Sequence, residues 1–314
     1  MPTKFKAVTK TEWLAKVEKD LKGKSLNDLN FKVDGTDFSP FHHPDDQPEP
    51  PSPIPGFPDG HRMVGIQIDA TNNVTLANQV ALDALAKGAD LLIFVVPHLD
   101  TLGKKTKKLL LAGIIREIVT IVFAERIHKY PTSPFLFQEG DRYHFDALQD
   151  GHADALFAAM ESFSEEGANV PTFHVGVTND YLVSIASLRA LRLCYWRITE
   201  AFEKPMNCRI IAHVRPADNS NSNLNKIAAT TQAMSAIIGG ADGLIVRPSD
   251  GDEESAFSRR VGLNMQHILE YESHLHGIPD PAAGSYFLEA LTDQLAKSTW
   301  SAYQALFKNP LYKL

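Results

Sequence analysis

His213 closes the apolar run from Arg209 to Val214 and is followed by Val214, Arg215 and Pro216. An imidazole at the end of a strand can hydrogen-bond a carbonyl and stabilise charge that develops on it, although the commoner role there is structural. Arg215 and Arg247 stand at corresponding points, each followed by a proline. A guanidinium so placed clamps a carboxylate or a phosphate with two parallel hydrogen bonds, or pairs with a neighbouring acid. The polar stretch from Asp218 to Asn223 holds Asn219 in a loop that also caps the next helix. His213 is therefore the candidate catalytic group, and Arg215, Arg247 and Asn219 are the candidate substrate-binding groups.

Other reactive side chains carry less. His42 and His43 lie near Asp45 and Asp46 but lack helical or hairpin ligand spacing, so they are expected on the surface. Cys194 and Cys208 match no metal spacing and form no disulfide framework. Arg189 and Arg192, three residues apart, share a helix face and are expected to be surface or interface groups. No metal and no cofactor-binding residue is expected in this chain.

Composition bounds the rest. The chain has 314 residues, 44% hydrophobic and 22% charged, with a net charge of -7. That is an ordinary globular composition with room for a well-buried core. An acidic chain without a long basic run fits neither nucleic acid nor an anionic membrane. Apolar runs such as 91–97 and 109–115 are too short to span a bilayer, and the N-terminus lacks the apolar core of a signal peptide. A reducing cytoplasm is the expected location.

These residues need a scaffold. Trp13, Leu14, Val17 and Leu21 fall at helical spacing, with Thr11 as a cap. The Pro-rich run from Pro40 to Pro58 excludes helix or central strand and reads as an extended arm. From residue 62 a rhythm begins: strands at 63–69, 90–97, 118–124, 172–178, 209–214 and 243–247, with a weaker one at 143–147. Helices alternate with them at 73–87, 104–116, 150–166, 181–202, 224–238, 254–273 and 287–307. This alternation gives parallel strands joined by βαβ crossovers. The strand count alone leaves both an eight-stranded barrel and an open doubly wound sheet, although no Gly-rich phosphate loop follows any strand.

Several phrases resemble a known family. Gly239-Gly-Ala-Asp-Gly-Leu-Ile-Val-Arg-Pro248 is similar to a barrel strand of methylmalonyl-CoA mutase. Glu272-Ser-His-Leu, Asp280-Pro-Ala-Ala-Gly-Ser-Tyr286 and Glu289-Ala-Leu-Thr-Asp-Gln-Leu295 resemble the end of that barrel. Asn179-Asp-Tyr-Leu, Ile185-Ala-Ser-Leu-Arg-Ala190 and Trp196 resemble the helix after a middle strand. The match covers about residues 173–307, with a weaker echo over 10–100.

The resemblance implies an α/β fold of the TIM-type (β/α)8 barrel class, incomplete or degenerate, over 61–314. It is preceded over 1–60 by the N-terminal helix and Pro-rich arm. The wording is most like the family's small, non-catalytic subunit. The large subunit of the family isomerises methylmalonyl-CoA and succinyl-CoA with adenosylcobalamin. The implied partner is thus a large subunit or a homodimer mate, with an acyl-CoA as a candidate ligand. The alternative is an acyl-CoA isomerase subunit that uses a cobalamin domain on another chain. A self-associating remnant is a third reading.

His213 matches the family's active-site histidine, but Val214, Arg215, Pro216 and Ala217 replace the Gln-Thr-Ser-Gly run expected after it. Asp59-Gly60-His61 echoes the cobalt-ligating Asp-x-His-x-x-Gly box, with Gly65 one place too far. The family's cobalamin module is expected to be missing. Bulky strand residues predict a filled barrel axis, with Ile66, Ile68, Phe94 and Phe123 as candidates to fill it.

Overall fold

The computed structural model describes residues 6–33, 35–46, 53–100, 102–126, 170–215, 221–248 and 255–308, with strand segments at 135–138 and 144–147 and the single residue Leu156. Helix α1 (Lys10–Leu21) opens on a capping box in which Thr9 and Glu12 satisfy each other's backbone N–H groups. Thr9, rather than Thr11, is the cap. A short hairpin follows, β1 (Phe31–Val33) with β2 (Thr36–Phe38). His42 and His43 are half-buried rather than fully exposed. The His42 ring packs on Phe38 and Phe287, and His43 stacks on Trp13 at 5.9 Å.

Eight further strands form one curled sheet: β3 (Met63–Asp69), β4 (Leu91–Val96), β5 (Thr120–Arg126), β6 (Phe135–Gln138), β7 (His144–Ala147), β8 (Thr172–Val177), β9 (Arg209–Val214) and β10 (Gly243–Val246). Their spatial order is β6-β5-β4-β3-β10-β9-β8-β7. That order is the chain order cut at one point, with the last strand β10 paired in parallel to the first, β3. An open doubly wound sheet reverses its strand order; this one does not. Strand β6, unforeseen in the sequence, runs antiparallel to β5. It lies against β7, although no ladder joins the two among the described residues. The architecture is an incomplete TIM-type barrel.

Helices α2 (Val74–Ala86), α3 (Lys104–Leu110), α4 (Tyr181–Ala201), α5 (Ser222–Ile238), α6 (Ala256–His267) and α7 (Tyr286–Lys308) surround it. Asn73, Asp180, Asn221 and Ser255 cap α2, α4, α5 and α6 through side-chain oxygens. The helix expected over 150–166 lies outside the described residues, apart from the buried Leu156. No helix among the described residues is long and apolar enough to cross a membrane.

Alternation along each strand sorts the core. Ile66, Ile68, Phe94 and Phe123 face the helices, packed with Ala77, Ala81 and Ala84 of α2. They do not fill the axis, which corrects the sequence expectation. Leu91, Ile93, Val95, Val122, Ala124, Ile211 and Ile245 form the inward cluster instead. Small inward positions do exist, but the cavity they would leave is occupied. A Cβ on Gly65 would lie 2.5 Å from Ile245 Cδ1 and 2.9 Å from Leu91 Cδ2.

The end of the arm lies across the N-terminal ends of the strands. Ile54 is buried. Phe57 rests on Gly240, whose φ of +90° suits glycine and whose missing Cβ would fall 2.6 Å from the ring. Arg192 of α4 ties this layer together, donating to the carbonyls of Gly56, Cys208 and Gly240 and to Asp242 Oδ2, each at 2.7 Å. Arg189, on the same helix, binds Asp280 through Nε and Nη2 at 3.0 Å, with Glu289 and Thr292 at 2.8 Å. Both arginines are 1% exposed, so they are interior struts and not surface groups.

Candidate functional site

The C-terminal ends of the barrel strands gather the polar side chains that sequence singles out. His213 is inward on β9 and 2% exposed. Its Nε2 lies 2.9 Å from Nδ1 of His174, an inward residue of the adjacent β8. One ring donates and the other accepts, which fixes complementary tautomers. Burial first, then the positive charges of Arg215 and Arg247, push the His213 imidazole down to about 3. At neutral pH it is uncharged, so it can exchange hydrogen bonds but cannot serve as a cationic acid.

Arg215 and Arg247 sit half-buried, just beyond the ends of β9 and β10. The Arg247 amide donates to Val214 O at 3.1 Å, which holds the two strand ends side by side. The structure brings His213, Arg215 and Arg247 to neighbouring strand ends. Asn219 lies outside the described residues. Asn221, in the same polar stretch, caps α5 by accepting from the amides of Asn223 and Leu224.

Two neighbours escaped the sequence reading. His174 sits in the middle of an apolar strand, and only its parity with the inward positions of β9 could have revealed it. Gln67, inward on β3, lines a small space with Arg247, Arg259 and Ile245. That space is about 20 Å³, enough for one water molecule. Beneath it, Gln266 of α6 takes over backbone bonding at Gly65, with Oε1 accepting from Gly65 N at 2.9 Å and Nε2 donating to Gly65 O at 3.0 Å. The described ladder between β3 and β10 ends at Gly65 and Ile245, so this side-chain amide meets backbone groups that would otherwise be buried without partners.

His61 lies at the other end of the barrel, just before β3. Its Nδ1 is 2.5 Å from Glu270 Oε1 and its Nε2 is 2.6 Å from Asp90 Oδ2. With both ring nitrogens held by carboxylates, His61 does not fit the role of a cobalt ligand. Cys194 and Cys208 are buried, and desolvation pushes their thiols up to about 12 and about 11. Neither is a nucleophile at neutral pH.

Comparisons with known proteins agree with the sequence resemblance over the second half of the barrel. The family model described as methylmalonyl-CoA mutase matches residues 164–309, a span that begins before β8 and ends within the last residues after α7. A probable methylmalonyl-CoA mutase small subunit from Mycobacterium bovis is 32% identical over 146 residues, 43% of this chain and 24% of that protein. The methylmalonyl-CoA mutase small subunit of Streptomyces virginiae is 34% identical over 140 residues, again 43% of this chain and 23% of that one. A methylmalonyl-CoA mutase of Rhizobium meliloti is 34% identical over 176 residues, 53% of this chain and 23% of its own length. The matched segment spans about a quarter of each of these relatives. Over residues 164–309, this chain is similar to the methylmalonyl-CoA mutase family.

Proposed function

We propose that this chain is a non-catalytic subunit, similar to the small subunit of methylmalonyl-CoA mutase, that partners a cobalamin-dependent catalytic subunit in the cytoplasm. The observation that carries this reading is the packed barrel axis. The space above Gly65 is filled by Ile245 and Leu91, where an acyl-CoA arm threading the described strands would need small or polar side chains. His213 then serves as half of a neutral imidazole pair and not as a catalytic group. Adenosylcobalamin belongs, in this reading, to the partner chain, because both ring nitrogens of His61 are engaged by carboxylates. Exposed apolar side chains around α3, namely Leu109, Ile115 and Ile118, are of the kind that partner surfaces cover.

A second reading keeps the chain as the acyl-CoA-binding subunit of an isomerase. Its support is the pair of guanidiniums, Arg215 and Arg247, that act on His213 and are suited to a carboxylate. One experiment separates the two. The chain is co-expressed with a large mutase subunit from the same source and purified through a tag on either. A stable complex in which the small chain alone shows no acyl-CoA binding supports the first reading. Acyl-CoA binding by the isolated chain, lost in Arg247→Ala, supports the second. Elution of the chain alone, without its partner, removes the subunit role.

A further inference from the structure

One cleft lies away from the barrel axis, between the first turns of α4 and α5 at the end of β8, with a volume of about 270 Å³. Asn179, Asn225 and Gln232 line it with amides, while Tyr181, Leu224 and Ala228 give it apolar surface. No charged side chain is among its described lining residues. Gln232 is 4% exposed. Its Nε2 donates to Asn179 Oδ1 at 2.6 Å, but its Oε1 accepts from no group among the described residues.

Two facing amides can close a double hydrogen bond. Only one of the two forms among the described residues, which leaves Gln232 Oε1 as an acceptor and Asn179 Nδ2 as a donor. Turning both amides over exchanges the two roles and still leaves one donor and one acceptor. A buried acceptor without a donor is costly enough to call for a partner.

We propose that this cleft binds the base of an adenine nucleoside, with the exocyclic amino group donating to Gln232 Oε1 and a neighbouring ring nitrogen accepting from the Asn179 amide. Asn and Gln amides recognise the amino group and ring nitrogen of adenine through this donor–acceptor pairing. Tyr181, with Leu224 and Ala228, supplies the flat apolar surface on which a base lies. The uncharged lining selects a neutral group over a phosphate. A volume just below the usual ligand range of about 300–1,000 Å³ suits one base and not a dinucleotide. This site is independent of the subunit reading.

The test is saturation-transfer NMR on the full chain with adenosine, N6,N6-dimethyladenosine and uridine as probes. Adenosine is expected to show transfer, and the dimethylated base, which keeps the shape but loses the amino donor, to bind ~10-fold more weakly or worse. Gln232→Leu weakens adenosine to a similar degree. Because that variant alters a buried position, Ala228→Phe provides a second check: it fills the cleft from a half-buried site and keeps both amide side chains in the chain. Circular dichroism confirms that it is folded. Absence of adenosine transfer, equal binding of the dimethylated base or of uridine, or adenosine binding that survives Ala228→Phe each overturns the proposal.

Discussion

At the scale of single residues, two histidines titrate in opposite directions for opposite reasons. His213 is buried and flanked by cations, so its folded value, about 3, lies below that of the unfolded chain. The unfolded state then binds the extra proton as pH falls below the ordinary imidazole value of about 6.5. Stability is therefore complete above that pH and declines on acidification, by up to ~1.4 kcal/mol per pH unit from this group. Urea midpoints at pH 7 and pH 5 are expected to show a decline that is shallower in His213→Gln. For His61, burial pulls the value down, but the hydrogen bonds and charges of Asp90 and Glu270 outweigh it and leave the value raised. Its contribution is complete below about pH 6.5 and is lost as pH rises through the raised folded value. The side chain is 50% exposed, so solvent screening keeps the effect small. A modest fall in melting temperature on the alkaline side, absent in His61→Gln, is the expected signature.

At the scale of elements, buried arginines decide how the helices seat. Arg189 joins α4 to α7 and to the turn at Asp280, and the Asp280 and Glu289 side chains are 9% and 10% exposed. Arg189→Met removes the cation and leaves two carboxylates without it. Loss of one partner from such a network costs about 3–5 kcal/mol, which guanidinium unfolding of the variant would measure. Arg189→Lys keeps the charge but loses the forked contact to Asp280, and is expected to fall between the variant and the parent. Helical spacing shows that Arg189 and Arg192 share one side of α4. It does not show that this side is covered, because the covering groups come from residues 56, 208, 240–242, 280 and 289.

At the scale of the molecule, the proposed subunit role has a direct consequence for activity. The purified chain, supplied with adenosylcobalamin and methylmalonyl-CoA, is expected to form no succinyl-CoA. Val214, Arg215 and Pro216 stand where the family's polar run follows the histidine, and loss of one positioned donor alone typically lowers rate by ~10²–10³. Turnover that disappears in His213→Ala would instead make the chain an enzyme. The barrel itself depends on distant contacts. The pairing of β10 with β3 joins residues 243–245 to 63–65, and the arm at Phe57 closes the floor on Gly240.

Sequence alone determined the βα rhythm, most strand positions and the placement of His213, Arg215 and Arg247 at strand ends. Each of those follows from local apolar periodicity or from a position at a strand end. It also carried the family resemblance, because phrases such as Asp280 to Tyr286 are contiguous. Only the tertiary structure decided which strand face turns inward. Parallel strands are apolar on both faces, so Ile66 and Phe94 read the same as Leu91 and Ile93 until the helices are placed. The same ambiguity hid His174, whose meaning depends on its register with β9. The antiparallel strand β6 broke the rhythm from which the other strands were read. The buried roles of Arg189 and Arg192 arise where segments far apart in the chain are brought together, and composition and spacing carry no record of that.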